Sequence, residues 1–246
     1  MEAKTNNNNS SNNDEYSGIT MKKTNLDINN SYNYNYKNSF NSNSKPNSNN
    51  QAVVDKLIPL NSKWNFWYAS RKEQDHHIIY DERLKKVSEV EDLKTFFHVY
   101  SYLKPVNEIE KNTDVSLFKN NYKPCWESCQ EGGCWFIRFK NQGESLKEID
   151  TIWENMLFAL VTEQFNEANI LGSVLSIRGR EIIIELWFNY FKYQHIKEGL
   201  VRKMESVLGL SKNTTIYFKD NEKALKDKST LRNAESYCIK DKKLNY

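Results

Sequence analysis

The sequence has no apolar run approaching the ~18 residues that a membrane-spanning helix needs, so we expect no membrane partner. The N-terminus of the 246-residue chain also lacks the apolar core of a secretory signal, so we expect a cytoplasmic protein. Reduced thiols are then expected at all four cysteines, namely Cys125, Cys129, Cys134 and Cys238.

Metal ligands and catalytic motifs are equally scarce. Cys125, Cys129 and Cys134 are not spaced like zinc ligands, the fourth cysteine is distant, and His195 lacks a paired ligand. No compact nucleophile–base or acid–base motif is present. We therefore predict no metal, no cofactor and no enzymatic activity. The formal net charge of +3 is too small to bind long nucleic acid by charge alone.

Aliphatic residues are almost missing from residues 1–50, where Asn and Ser dominate. Such a tract cannot bury enough apolar surface to offset its conformational entropy, so we predict a disordered tail over 1–50. The remainder, residues 51–246, is long enough for a single domain with a sizeable core. From Asp220 onward the chain is charged, which predicts a loose C-terminal end.

Helices are predicted at three places. Ser88 and Ser145 are each followed by a glutamate three residues later, a capping box that marks a helix start. Helical spacing of apolar residues continues behind both, and Pro105 ends the first of these runs. A third helix is predicted over 191–208.

Strands are predicted where β-branched and aromatic residues cluster, at 64–68, 135–139, 170–178, 182–188 and 214–219. A tight turn at Gly179 and Arg180 joins two of them into a hairpin. Residues 70–86 are predicted to form a long loop with an exposed aromatic. Because hairpins outnumber parallel crossovers, we predict an α+β fold: a mainly antiparallel sheet with three helices on one face.

A stretch runs from Ser116 through Pro124 to Ser128. Its polar segment, which starts at the proline, has no helical or strand periodicity and places Trp126 directly before Glu127. A tryptophan ring offers a face for a nucleobase, and the carboxylate beside it could accept from two N–H donors on the guanine edge. Aromatic residues pack more often than they bind ligands, so spacing alone favours a packed tryptophan beside a solvated glutamate.

The order of these motifs resembles eukaryotic translation initiation factor 4E, the family that binds the messenger RNA cap. The resemblance spans about residues 58–235 and is carried by Trp64, Trp67, 116–119, Pro124, Trp126, Glu127, Gly132, Gly133, Trp135, Trp153, 176–178, Leu186 and Trp187. It implies a curved, mainly antiparallel sheet with three helices on the convex face and the cap on the concave face.

By this resemblance the cap base stacks between Trp126 and Tyr80, Glu127 reads the guanine edge, and Trp187 contacts the methyl group. Tyr80 stands where the family has tryptophan, so we expect a weaker sandwich. The sequence alone would also allow Trp187 as a core residue and Tyr80 as an ordinary loop residue.

The resemblance implies that Arg178 and Arg180 bind the cap phosphates, a role that suits the guanidinium fork. Without it, both would be solvated charges at a hairpin tip. Ile183 and Cys134 stand where the family has a lysine and an arginine. Phosphate affinity is therefore expected to fall unless Lys226 compensates.

A second surface is implied at Ile58, Pro59, Leu93, Phe97 and Phe158, where the family grips an amphipathic helix of a scaffold initiation factor or of competing repressor proteins. Phe97 stands where the family has tryptophan, which predicts a different choice of partner. The alternative to a partner-binding surface is that Phe97 and Phe158 are ordinary core residues.

The function implied is a monomeric, non-catalytic protein that binds capped messenger RNA and recruits it to the ribosome through a scaffold initiation factor. Two alternatives remain: a cap-binding repressor of translation, and a nucleotide or cap hydrolase that uses Glu127 or Glu181 as its base. Ser229 matches a regulatory phosphorylation position of the family, where a phosphate would oppose the cap phosphates.

Overall fold

The computed structural model describes residues 57–71, 77–143, 145–189, 194–212 and 214–238. The tail predicted over 1–50 lies outside them. Within the described residues the strands are β1 (Pro59–Ser70), β2 (Lys85–Asp92), β3 (Thr113–Lys119), β4 (Gly132–Lys140), β5 (Ile170–Ile177), β6 (Glu181–Asn189), β7 (Thr215–Asp220) and β8 (Glu235–Cys238). The helices are α1 (Tyr80–Arg83), α2 (Leu93–Tyr102), α3 (Ser145–Val161), α4 (Gln194–Leu208) and α5 (Asn221–Asp227).

The strands form one sheet in the order β2-β1-β3-β5-β6-β4-β7-β8, and every neighbouring pair is antiparallel. The β5–β6 hairpin turns at the predicted place. Both α3, which begins at Ser145, and α4 lie where the sequence predicts helices. The predicted α+β class with a mainly antiparallel sheet is confirmed.

Alternating side chains give the sheet two different faces. On β6, Ile184, Leu186 and Phe188 join the large core that the three long helices α2, α3 and α4 cover. Ile183 and Trp187, at the alternate positions of the strand, point to the opposite face, where a smaller apolar cluster lies. The long helices therefore cover most of one face, and the other face is left to form the site.

The predicted capping box at Ser88 is wrong, because Ser88 lies in β2, which pairs with β1 at the edge of the sheet. The helix begins later, at Leu93. Its N-cap is Asp92, whose side chain accepts from the backbone N–H of Thr95 at 2.9 Å. A carboxylate at this position satisfies an N–H that the first helical turn leaves without a partner.

Three other segments differ from their predictions. The segment at Ser116 belongs to β3, a strand whose residues are nearly all buried although polar and apolar side chains alternate along it. Tyr80 begins the short helix α1 and does not lie in a loop. Residues 220–238, predicted to be loose, form α5 and β8, anchored by the buried Lys219, whose Nζ pairs with Asp227.

Candidate functional site

A cavity of about 190 Å³ opens on the sheet face that the long helices leave uncovered. It brings together four residues singled out from the sequence: Tyr80, Trp126, Glu127 and Trp187. The rest of its lining is polar and charged side chains with a few small apolar ones: Arg71, Arg83, Pro124, Cys125, Val174, Ser176, Glu185, Lys228 and Thr230.

One wall is the turn that carries Trp126. The backbone is extended at Cys125 and then enters a 3₁₀ turn over Trp126–Cys129. Cys129 is buried in the smaller apolar cluster, and its carbonyl accepts from Asn221 Nδ2 at 2.7 Å. The turn is therefore anchored at its far end, which leaves Trp126 half-buried and Glu127 exposed at the rim.

A second wall is Tyr80 at the start of α1. Its hydroxyl donates to Asp114 Oδ2 at 2.9 Å. The guanidinium of Arg71 lies 4.4 Å from the ring centroid, a cation–π contact. Burial raises the pKa of Tyr80, so the hydroxyl stays a protonated donor and the ring is held in one orientation.

A salt bridge connects the two walls. Lys123, which precedes the Trp126 turn, contacts both carboxylate oxygens of Asp81 in α1, at 2.8 and 2.9 Å. Both side chains are more than 40% exposed, so the pair adds little to stability. It joins α1 to the segment that carries Trp126.

Asp114 organises the base of the Tyr80 wall. Its two oxygens accept from Tyr80, from Arg71 Nε at 2.7 Å, from Arg178 Nη2 at 2.6 Å and from Ser176 Oγ at 2.7 Å. Burial would raise the pKa of Asp114, but the charges of Arg71 and Arg178 outweigh it and lower the pKa to about 2. The carboxylate is thus ionised and fully bonded.

The floor is formed by β6, which contributes Trp187 and Glu185. Trp187 packs edge-on against Phe118 with ring centroids 5.6 Å apart, and its Nε1 donates to Glu185 Oε2 at 2.7 Å. Glu185 was missed from the sequence. The sequence does carry a signal for it, because Glu185 is an acidic residue within an apolar strand and shares one face with Ile183 and Trp187, two residues away on either side.

The cationic residues predicted for phosphate binding are spread apart. Arg178 is held against Asp114 beside the cavity. Arg180 lines a separate cavity of about 530 Å³ together with Arg138. Lys226 is exposed and paired with Glu222 at 2.7 Å.

Lys228, two residues further on, lines the cavity instead. It ends α5 in a left-handed conformation with φ 50°. Ser229 follows it, and its Oγ accepts from the backbone N–H groups of Leu231 and Arg232 at 3.2 and 3.1 Å. The next residue, Thr230, again lines the cavity, so Ser229 lies between two lining residues.

The second predicted surface forms two adjacent groups on the helical side. The carbonyl of Ile58 accepts from Leu93 N–H at 2.9 Å, which places Ile58 and Pro59 at the start of α2. Phe97 on α2 and Phe158 on α3 have ring centroids 5.8 Å apart. Ile58 is 60% exposed and Phe97 50% exposed, whereas Phe158 is half-buried.

Across the described ranges, no cluster of three His, Cys, Asp or Glu side chains could hold a metal ion. Cys125, Cys129 and Cys134 are buried free thiols. Nor is any helix in those ranges long and apolar enough to span a bilayer.

Comparison with known proteins places the whole described domain in one family. The family model for eukaryotic initiation factor 4E matches residues 59–236. Over 179 residues the chain is 31% identical to eukaryotic translation initiation factor NCBP of Arabidopsis thaliana, covering 71% of this chain and 78% of that protein. Over 163 residues it is 27% identical to eukaryotic translation initiation factor 4E1 of Drosophila melanogaster, covering 65% of this chain and 61% of that protein, less than two thirds of its length.

Two solved structures share the fold. One is C. elegans eIF4E-3 in complex with the 4E-binding protein Mextli, with a TM-score of 0.64 and 22% identity, covering 70% of this chain and 97% of that one. The other is Ascaris suum eIF4E-3 with the m7G cap, with a TM-score of 0.62 and 22% identity, covering 67% of this chain and 92% of that one.

Proposed function

The chain belongs to the eukaryotic initiation factor 4E family, and on that premise we propose that it binds the 7-methylguanosine cap of messenger RNA between Tyr80 and Trp126. One observation carries this proposal. The aromatic side chains of Tyr80 and Trp126, the rim carboxylate Glu127 and the floor indole Trp187 come from three separate segments and line a single cavity.

The chemistry of the ligand matches these groups. 7-Methylguanine is a planar base with a delocalised positive charge, so an electron-rich ring on each face attracts it by stacking and by cation–π interaction. Typical gains are ~1–3 kcal/mol per stacked base and ~0.5–2 kcal/mol for the charge. Glu127 accepts from N1–H and the exocyclic amine, which adds ~1–3 kcal/mol of discrimination against other bases.

The Tyr80 side of this sandwich is the weaker one. A phenol ring is smaller than an indole, and one contact of the Tyr80 ring is already the guanidinium of Arg71. Stacking on Trp126 therefore contributes most of the affinity.

For the phosphates we propose Arg178, which lies beside the cavity, and Lys228. Arg178 is oriented by Asp114, and Lys228 belongs to the cavity lining itself. Arg180 is less favoured, because it lines the separate cavity beside Arg138. Lys226 is the least favoured of the predicted set, because Glu222 already neutralises its charge.

The apolar surface at Ile58, Pro59, Leu93, Phe97 and Phe158 is proposed to bind an amphipathic helix of a scaffold initiation factor, and through it to recruit messenger RNA to the ribosome. Half-exposed Phe97 beside Phe158 supports an apolar anchor there. A repressor role uses the same cap pocket without productive scaffold binding. Affinity purification separates the two roles, since only the first recovers initiation machinery together with capped RNA.

Fluorescence titration with 7-methylguanosine triphosphate and with GTP tests cap binding. We expect strong tryptophan quenching by the methylated nucleotide and weak quenching by GTP. Replacing Glu127 by Gln should weaken binding by about 10- to 100-fold, the value of a lost bidentate contact. Glu131→Gln, which removes an exposed charge two residues beyond this turn and outside the cavity, is the matched control. Equal affinity of the unchanged protein for the two nucleotides would contradict the proposal.

A further inference from the structure

The cavity floor holds a buried carboxylate that the proposed cap contacts leave unused. Glu185 is only 6% exposed, yet it belongs to the cavity lining. Its Oε2 accepts from the indole Nε1 of Trp187, the residue expected to lie against the methyl group of the cap. A carboxylate thus lies one hydrogen bond away from the place where the methylated base is expected.

The two buried acids of this sheet face are bonded differently. Asp114 accepts from two guanidinium groups, so its charge is compensated within the protein. Glu185 accepts from the uncharged indole of Trp187. An ionised carboxylate in such a place is costly unless a positive charge approaches it, and 7-methylguanine supplies one.

We propose that Glu185 is the counter-charge for the cationic base and thereby makes the cavity select 7-methylguanine over unmethylated guanine. The inference rests on the proposed cap binding and names the group that reads the charge of the base. Unmethylated guanine is neutral and gains nothing from an ionised carboxylate. The attraction acts inside an enclosed site, where it is screened less than in water.

The protonation behaviour of Glu185 agrees with this role. Burial raises its pKa to about 7, opposed by the bond from Trp187. Among the surrounding charges, Asp114 raises the pKa further, whereas Arg71 and Arg178 lower it. On the neighbouring strand the thiol of Cys134 is kept protonated by its own burial, which raises its pKa.

The other titratable groups that share the cavity lining are Tyr80, Arg83, Cys125, Glu127 and Lys228. A bound cation favours the ionised form of Glu185, so binding expels a proton near neutral pH. If the cation lowers the Glu185 pKa by one unit, the ionised protein binds it about tenfold more tightly than the protonated protein.

The test compares Glu185→Gln with Glu181→Gln, which removes the same charge from the same face of β6 outside the cavity. Gln keeps the size of Glu and can still accept from Trp187. We expect the preference for 7-methylguanosine triphosphate over GTP to fall about tenfold in Glu185→Gln, with GTP affinity nearly unchanged. Glu181→Gln should keep the full preference.

A calorimetric measurement covers the case in which Glu185→Gln does not fold. Titration in two buffers of different ionisation enthalpy, at about pH 6.5, should show proton release on binding the methylated nucleotide and none on binding GTP. An unchanged preference in Glu185→Gln, an equal loss of both ligands, or binding without proton release would overturn the inference. Equal affinity of the unchanged protein for both nucleotides would instead overturn the proposed cap binding.

Discussion

The two faces of the sheet are built by the same strands but have different roles. The helix-covered face provides most of the stability, and the cavity face provides the binding groups. On β3 the helix-covered face presents Val115 and Leu117, whereas the cavity face presents Asp114 and Ser116, all four of them buried. Burying an aliphatic side chain contributes ~1.5–3 kcal/mol. Burying a polar one contributes little net stability but demands a fixed set of partners.

The comparison teaches where a substitution should be felt. The helical face tolerates little loss of volume, because its side chains pack against α2, α3 and α4. The cavity face is held by hydrogen bonds and ion pairs, and its outermost groups, Trp126 and Glu127, can change with little effect on folding. The following predictions test that division, beginning with the largest expected effect.

Phe188→Ala should be the most destabilising of these changes. Phe188 is fully buried on the helical face and contacts Phe218 with ring centroids 6.1 Å apart. Removing such a ring leaves a cavity and costs about 3–5 kcal/mol of unfolding free energy, measurable by urea denaturation. A loss below about 1 kcal/mol would mean that the helical face does not dominate stability.

Trp126→Ala should show the opposite pattern. We expect the affinity for 7-methylguanosine triphosphate to fall by about 10- to 100-fold, because one stacking face worth ~1–3 kcal/mol is lost. The unfolding free energy should change by less than about 1 kcal/mol, because the ring is half-buried at the rim. If Trp126→Ala lowered the unfolding free energy as much as Phe188→Ala does, the cavity face would contribute to stability as the helical face does, and the proposed division would be wrong.

Asp114 should make the cavity face sensitive to acid. Its pKa of about 2 in the folded protein is lower than its ordinary value of 3.8. The resulting stability, about 2 kcal/mol, is fully present above pH 3.8 and is lost as the pH falls through about 2. Urea denaturation between neutral and acid pH measures it. Asp114→Asn should remove this part of the pH dependence, and an unchanged acid profile would contradict the assignment.

Tyr80→Trp should give the smallest effect, a gain in cap affinity of a few-fold, about 1 kcal/mol, from the larger stacking face. Fluorescence titration detects it. Tyr80→Phe is the matched control, since it keeps the ring and removes only the bond to Asp114. If Tyr80→Trp leaves cap affinity unchanged, Tyr80 is not the second face of the sandwich.

Local signals predicted much of the fold. Helix α3 begins at Ser145, where its capping box predicts a helix start, although the Ser145 hydroxyl donates to the carbonyl of Gln142 at 2.8 Å, which is not the contact of a capping box. The β5–β6 hairpin follows from its two apolar runs. The same box failed at Ser88, since pairing of β2 with β1 took that segment into the sheet and Asp92 supplied the cap. Tertiary pairing overrode a local signal there.

The site was predicted less completely, because its parts are joined by contacts distant in sequence. Resemblance placed Tyr80, Trp126, Glu127 and Trp187, which the fold brings to one cavity. The resemblance could not place Lys228 in the cavity, because the position of Lys228 depends on α5, and this segment was predicted to be loose. Nor does the resemblance include Glu185.

The central claim is that the cap base lies between Tyr80 and Trp126. A crystal structure of the protein with 7-methylguanosine triphosphate measures this most directly. We predict the base between these two rings, with its edge on Glu127 and its methyl group toward Trp187. A base bound elsewhere, for example in the larger cavity of about 490 Å³ beside Trp64, would contradict the account.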